Sequence, residues 1–569
     1  MRRITRRNFL RDSLVATAAV AGGGSLLSFG GCGSSSGGSA GTAPTDSYQL
    51  TVNYLEQTLA GLQLRTRTYG SIPGPLMRTA PGHHLKIEVI NQLPPNPPAT
   101  APAGVDPMNN PHRFNSTNLH VHGLQVVPHI FNPVGTLNAN AEMISIDPGR
   151  SFTYDFHLPE DHPSGFYWYH PHLHGSTEVQ VAGGMAGGII VEGPIDAVPE
   201  IAAARDEFLV MQLLRVNQVG NTGLWDFEPI AYVPPSQGGY AVPGTAILTV
   251  NGQATQLVNY FGISISSTTW NAQTPPTYQM QPGEVIRLRI LCGLDDFLVP
   301  LMLPGFQVYL IAMDGISLLA PELQTGSTNL TALRLGPGNR AELLIKAPDQ
   351  PTTSSLISLA QSESFYSSPQ YAIANFVVSG PAKPMAIPTS LPKPVREYPL
   401  ISDDEIVTRR SFTFGVIQDP AILATPGRGF TINGIVYDMS RVYANPQVGT
   451  AEEWTFSNTN NFQGHAFHIH TNSFEVLGLP FDPTYHRIQD TIWIPPSGSI
   501  TMRMRFKTWE GKDVFHCHIL DHEDQGMMAN TVLSHDPSAF PVTPITAADL
   551  RGQPTTCRTL VSGQGAEAK

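Results

Sequence analysis

The tripeptide His516-Cys517-His518 constrains this chain more than any other feature. Successive side chains of a β-strand point to opposite faces, so a strand through these residues sends both imidazoles one way and the thiol the other. One short strand then serves two separate sites, and the fold has to enclose both. Ten of the nineteen histidines fall in four clusters: His120-x-His122, His170-x-His172, His465-x-x-His468-x-His470 and His516-Cys517-His518-x-x-x-His522. A lone strand histidine is usually a structural residue with its hydrogen bonds made, but four clusters are not explained that way. Each His-x-His pair presents two imidazoles side by side, and the four pairs together present eight. Imidazole suits copper, zinc, iron and nickel alike, so the pairs alone do not name a metal. Cys517 narrows the choice. On the sulfur side His465 and His522 complete a two-His, one-Cys set, with Met527 ten residues beyond Cys517 as a weak axial ligand, which is the ligand set of blue copper. Met528 competes for that place, and the spacing favours Met527.

The surroundings of these clusters read as all-β. The chain has 569 residues, enough for three or four domains at roughly 150 residues each. Its 52 glycines and 50 prolines imply many turns between short strands, and charged residues make up only 14%. Leu85–Ile90 and Phe152–Phe156 alternate polar and apolar residues with period two, the pattern of half-buried strands. Val285–Ile290 and Trp454–Asn458 repeat the pattern further on. A late strand follows a turn in each third of the chain, at Pro148-Gly149, Pro337-Gly338 and Ser497-Gly498. The expectation is a leader and linker over residues 1–45, three β-sandwiches over 46–194, 195–381 and 382–545, and a tail over 546–569. No segment of convincing length has a helical period. The formal charge of −12 leaves no basic field for a phosphate backbone, so no nucleic-acid partner is expected.

The amino terminus reads as an export address. Arg2, Arg3, Arg6, Arg7 and Arg11 lead into an uncharged stretch from Ser13 to Gly31, followed by Ser/Gly-rich sequence. Thr5-Arg6-Arg7-Asn8-Phe9-Leu10-Arg11 resembles the bacterial twin-arginine signal, which implies a periplasmic or cell-envelope location. Phe29-Gly30-Gly31-Cys32 resembles a lipoprotein cleavage box with Phe in place of the usual Leu. Contact with a membrane would come only through lipid at Cys32.

The motifs His120-Val-His122-Gly123, Trp168-Tyr-His170-Pro-His172, His465-Ala-Phe-His468-Ile-His470 and His516-Cys517-His518 resemble, in order and spacing, those of the bacterial three-domain multicopper oxidases, the family of laccases and cuprous oxidases. The resemblance covers essentially the whole chain after the leader and implies three cupredoxin-like Greek-key β-sandwiches. It implies four copper ions. His465, Cys517, His522 and Met527 would hold type 1, His120 and His468 type 2, and His122, His170, His172, His470, His516 and His518 the type 3 pair. It further implies one-electron oxidation of a small reductant at type 1, coupled to four-electron reduction of dioxygen to water, with electrons passing through Cys517 and its neighbours His516 and His518. Glu523 matches an acidic residue that relatives use for proton supply. Three positions depart from the family pattern. Phe131, followed by Asn132, stands where many bacterial relatives carry an Asp; Ala466 stands where Pro is usual; and His174 has no ligand role in the pattern.

Two other classes share the fold. Copper nitrite reductases are shorter and build their second site between subunits, whereas four complete motifs lie here in one chain. Ligand-less envelope scaffolds should show substitutions at ligand positions, and none of the twelve is replaced. Among reductants, Cu(I) would call for a methionine-rich insertion, yet residues 381–429 hold Met385 alone. Phenols or aromatic amines are therefore expected, approaching an exposed edge of His465 or His522, with His486 and Asp490 as loop residues near that pocket. A monomer is expected, because one chain supplies every ligand. Cys292 and Cys557 are left over, Cys292 as a small buried core residue.

Overall fold

The computed structural model describes residues 43–549, apart from 97–107, 110, 220–221, 228–244, 260–272, 329–331, 364–365, 369, 418–428, 462 and 547–548. The amino-terminal address, Cys32 and Cys557 lie outside the described residues. Strands dominate, and the α-helices among the described residues, Thr177–Val181, Pro199–Ala203 and Leu520–Asp524, are each five residues long. No helix among the described residues is long and apolar enough to cross a membrane.

The alternating segments form the strands expected of them. Leu85–Ile90 lies within the strand His84–Asn91, whose residues alternate between buried and more exposed, and Phe152–Phe156 lies within Ser151–His157, antiparallel to it. Val285–Gly293 differs, being buried along its whole length between Arg205–Gln218 and Arg340–Lys346. Its polar residues explain how that is tolerated: Arg287 and Arg289 are buried against Glu342, Asp196 and Asp206. A buried cation is costly unless paired, and these are paired.

One 12-stranded sheet runs across the first two thirds of the chain. The short strand Leu224–Asp226 joins its halves, pairing with Leu62–Thr68 on one side and Arg205–Gln218 on the other. A 4-stranded sheet in the order Met77–Thr79, Gly187–Val191, Gly165–His170, His120–His122 closes the first sandwich. The last sandwich packs a 6-stranded sheet on a 5-stranded one, and the latter has the order Val442–Ala444, Met528–Leu533, Gly511–Cys517, His465–Ile469, Thr491–Ile494. Separate apolar cores fill the units: Val52, Ile87, Tyr154 and Tyr167 in the first, Leu288, Ile290 and Phe376 in the middle, Trp454, Phe456 and Phe515 in the last. The histidine-bearing strands of the first and last units face each other across a buried seam.

Candidate metal centre

Strand register sets the imidazoles in rows. His120 lies opposite His170 in the first sandwich, and His468 lies opposite His516 in the last, where Phe467 faces Cys517. Cys517 therefore turns into the core of the last sandwich, and His516 turns toward the first.

On the sulfur side, three ligand atoms converge in the dry interior. His465 Nδ1 and His522 Nδ1 are 3.1 Å apart, and Cys517 Sγ is 3.6 Å from the first and 3.7 Å from the second. Cys517 and His465 are fully buried and His522 is 2% exposed. Burial drives both imidazoles toward the neutral form, His522 down to about 3, and pushes the Cys517 thiol up. A bound cation reverses that thiol preference, because a coordinating thiol is deprotonated outright. The donor set fits copper: two imidazoles and one thiolate in a three-cornered arrangement. Met527 and Met528 separate clearly. Met527 packs in the same core as Cys517, its N–H donates to His522 O and its carbonyl accepts from Cys517 N–H, whereas Met528 packs with Phe131 and Val514 in a different cluster. Phe430 stacks on His522 with ring centroids 3.9 Å apart. The expected open imidazole edge is thus absent among the described residues: His465 and His522 are both enclosed.

On the other face, the Nε2 atoms of His172, His470 and His516 form a triangle with sides of 3.1, 3.1 and 3.3 Å. Their Nδ1 atoms face acceptors. His470 Nδ1 lies 2.9 Å from Asp513 Oδ1, His516 Nδ1 lies 3.0 Å from Cys517 O, and Glu523 lies 3.2 Å from His516 Nδ1 and 3.4 Å from His172 Nδ1. With protons on Nδ1, three lone pairs aim at one point, an arrangement that a bound cation relieves. Beside this triangle, His120 Nε2, His122 Nδ1, His170 Nε2, His468 Nε2 and both His518 nitrogens are buried with no hydrogen-bond partner. Unpaired buried polar atoms are costly, and five imidazoles sharing one cavity mark a place for metal. His120 with His122 and His170, and His120 with His468 and His470, bring ligand atoms within 4.8 Å of one another. His518 completes the group, its ring centroid 4.9 Å from that of His122 and 5.3 Å from that of His170. Burial lowers every one of the eight imidazole pKa values, those of His170, His470 and His516 to about 3.

Several site residues escape the motifs. His129 donates through Nδ1 to Val127 O, accepts at Nε2 from Val121 N–H and sits 3.2 Å from His120 Nδ1, which fixes the His120 tautomer. Asp513 supplies the carboxylate beside His470, while Phe131 is buried with the Lys512 ammonium 4.0 Å above its ring. Asp513 thus places a carboxylate beside the cluster, where Phe131 offers none. Asp513 shares its strand parity with Cys517 rather than His516, so alternation gives no hint of it. Asp490 is no solvated loop residue: it is 3% exposed and lies 3.1 Å from His122 Nε2. His486 instead contacts Glu475 on the other sheet of the sandwich. His174 stays outside the cluster, bonded to Asn109.

Comparison with known proteins agrees with this geometry. Two family models, both described as multicopper oxidase, match residues 103–195 and 412–536, the two stretches that bear the histidine clusters. The multicopper oxidase mco of Staphylococcus haemolyticus is 24% identical over 466 residues, covering 81% of each chain. A laccase of Bacillus subtilis is 25% identical over 401 residues, covering 66% of this chain and 71% of its own. A solved laccase-like multicopper oxidase, CueO from Ochrobactrum, superposes with a TM-score of 0.62 at 24% identity, over 86% of this chain and 99% of its own, a likeness of fold. The chain thus carries two multicopper oxidase family matches, and the relatives aligned over most of its length are multicopper oxidases and laccases. It is an oxidoreductase of the laccase-like kind.

Proposed function

We propose that this protein oxidises phenols or aromatic amines one electron at a time at a type 1 copper held by His465, Cys517, His522 and Met527, with dioxygen as the final acceptor at an interface cluster. His120 and His468 hold type 2 copper, and His122, His170, His172, His470, His516 and His518 hold the type 3 pair. The observation that carries this reading is the opposite placement of Cys517 and its neighbours His516 and His518, which joins the two sites by a few covalent bonds. Copper bound at these sites supplies the one-electron oxidation of the reductant and the four-electron reduction of dioxygen to water.

The protein's own groups do the rest. The dry core around Cys517, with Phe515, Phe467 and Ile519, excludes water from the sulfur. Phe430 covers His522, so a flat aromatic reductant would approach across a stacked ring pair. Water formation consumes protons, and Glu523 is the carboxyl placed to hold one, buried against His172 and His516. Burial, and then the neighbouring Asp524 carboxylate, raise the Glu523 pKa well above its ordinary value, which favours its protonated form. Cu(I) as the reductant finds less support. Met385 is engaged with the backbone N–H of Val285 and packs against a separate cluster with Val285, Ile311 and Leu344, and it is the only methionine of residues 381–429. The twin-arginine-like run supports export to the periplasm or envelope, and a single chain carrying every ligand supports a monomer.

Oxygen uptake by copper-loaded protein, measured side by side with a phenol and with Cu(I), tests the reading. Faster uptake with the phenol is expected. Faster uptake with Cu(I), or none with either, contradicts it.

A further inference from the structure

The middle sandwich holds none of the twelve ligand positions, yet one of its turns is pressed into the histidine cluster. That turn, residues 336–339, precedes the strand Arg340–Lys346. Gly338 has φ +90°, and a Cβ added there would lie 3.0 Å from the His122 ring and 3.3 Å from the His518 ring. Backbone without a side chain thus forms one wall of the cavity. Two residues on, Arg340 is fully buried and grips Asp490 of the last sandwich with both ends of its guanidinium, Nη1 to Oδ1 at 2.8 Å and Nη2 to Oδ2 at 2.6 Å.

Asp490 in turn orients two imidazoles. Its Oδ1 lies 3.1 Å from His122 Nε2, and its backbone carbonyl lies 2.8 Å from His468 Nδ1. With Nε2 engaged, His122 has only Nδ1 left for a metal, and that atom is buried and unpartnered. Asp314, also from the middle sandwich, accepts from the backbone N–H of Asp490 and of Thr491 at 3.2 Å each, and Asn339 donates to Thr491 O at 2.9 Å. Gly123, directly after His122, has φ +82°, and any side chain there would overlap both Arg340 and Asp490. The glycine of the first motif therefore makes room for this ion pair.

We propose that Arg340 is a positioning residue for the interface cluster: by holding Asp490 it sets His122 to ligate through Nδ1 and His468 through Nε2, so that the middle sandwich assembles a metal site to which it contributes no ligand. A bidentate guanidinium fixes carboxylate direction in a way that an ammonium does not, which makes Arg340→Lys the informative variant. The proposal rests on the copper reading above, and the experiment separates the two. Wild type, Arg340→Lys, Arg340→Ala, Asp490→Asn and Arg487→Ala are loaded with copper. For each, the blue type 1 absorption, the copper retained against a chelator and the share of copper silent in EPR are measured.

Arg487 joins the middle and last sandwiches through Glu322 and donates to the backbone carbonyl of His486, which is not one of the proposed ligands, so Arg487→Ala controls for general loosening of that interface. Outer partners of metal ligands typically affect affinity 10- to 100-fold, and a loss of about that size is expected for Arg340→Lys at the interface cluster, with a smaller EPR-silent share and an unchanged blue absorption. Asp490→Asn keeps an acceptor for His122 and is expected to lie between Arg340→Lys and wild type. Wild-type copper retention and EPR-silent share in Arg340→Lys overturn the proposal. A parallel loss of blue absorption and interface copper in Arg340→Lys also overturns it, because that pattern is general destabilisation. Should Arg340→Ala fail to fold, Arg340→Lys and Asp490→Asn still decide. Wild-type protein that takes up no copper counts against the function itself.

Discussion

The two candidate copper sites are built on different principles. The type 1 set draws His465, Cys517, His522 and Met527 from one sandwich and sits inside one continuous apolar core. The interface cluster takes four imidazoles from the first sandwich and four from the last, and buries them among polar partners: Asp490, Asp513, Glu523, His129 and Thr491. A site inside one core inherits its geometry from that core's packing. A site on a seam depends on hydrogen bonds that aim its imidazoles from behind, as at His120, His122, His468 and His470, since two units must agree on its shape. The first arrangement should tolerate changes elsewhere in the molecule, and the second should not.

The largest effect expected is from Cys517→Ser. It removes the thiolate and should abolish both the blue absorption and oxygen uptake while the interface cluster still binds copper, as metal content per chain would report. Next comes Asp513→Asn. Chelator competition should show copper affinity at the interface falling by about 10- to 100-fold with the blue absorption intact. A loss at both sites would erase the distinction between them.

Acid should also separate loaded from metal-free protein. The eight interface histidines have folded pKa values depressed below the ordinary value of about 6.5, so below that pH the unfolded chain binds protons that the folded one refuses. For His170, His470 and His516 that stability is fully present above about 6.5 and is lost as pH falls toward about 3, and the other five histidines act in the same direction. Asp513 and Asp524, raised to about 7, and Glu523 act in the opposite direction, because the folded state holds their protons between about pH 7 and the ordinary carboxylate range. Across the protein thirteen histidines with depressed pKa values outnumber eight carboxyls with raised ones, so the Tm of metal-free protein should fall between pH 6.5 and 5. A flat or rising Tm would refute this balance. The smallest effect is expected from Arg487→Ala, which removes a partly exposed ion pair with Glu322 and should cost under about 1 kcal/mol in denaturant unfolding.

The same contrast governs what the sequence discloses. Strand alternation around His516-Cys517-His518 leads directly to residues that converge at both candidate sites, because parity in a strand is a local property. The choice of Met527 over Met528 follows from spacing and agrees with the core in which each one packs. Asp513, Asp490, His129 and Arg340 are not legible in this way. Their roles depend on which strands of which sandwich end up adjacent, and a carboxylate in a run such as Gln489-Asp490-Thr491 looks like any surface residue until the seam closes over it. The expectation of an exposed imidazole edge fails for a similar reason: Phe430 reaches His522 from 92 residues earlier in the chain. Residue types signal the chemistry, and only the tertiary fold reveals what aims it.

The most direct test of the central claim is the copper content of reconstituted wild-type protein and of Cys517→Ser, read together with the blue absorption. The account predicts about four copper ions per chain and a blue colour for wild type, and about three ions without colour for Cys517→Ser, as expected of a His2Cys site beside a separate cluster. Colourless wild-type protein, or a Cys517→Ser variant that loses all its copper, would contradict the picture of two sites on opposite faces of one strand.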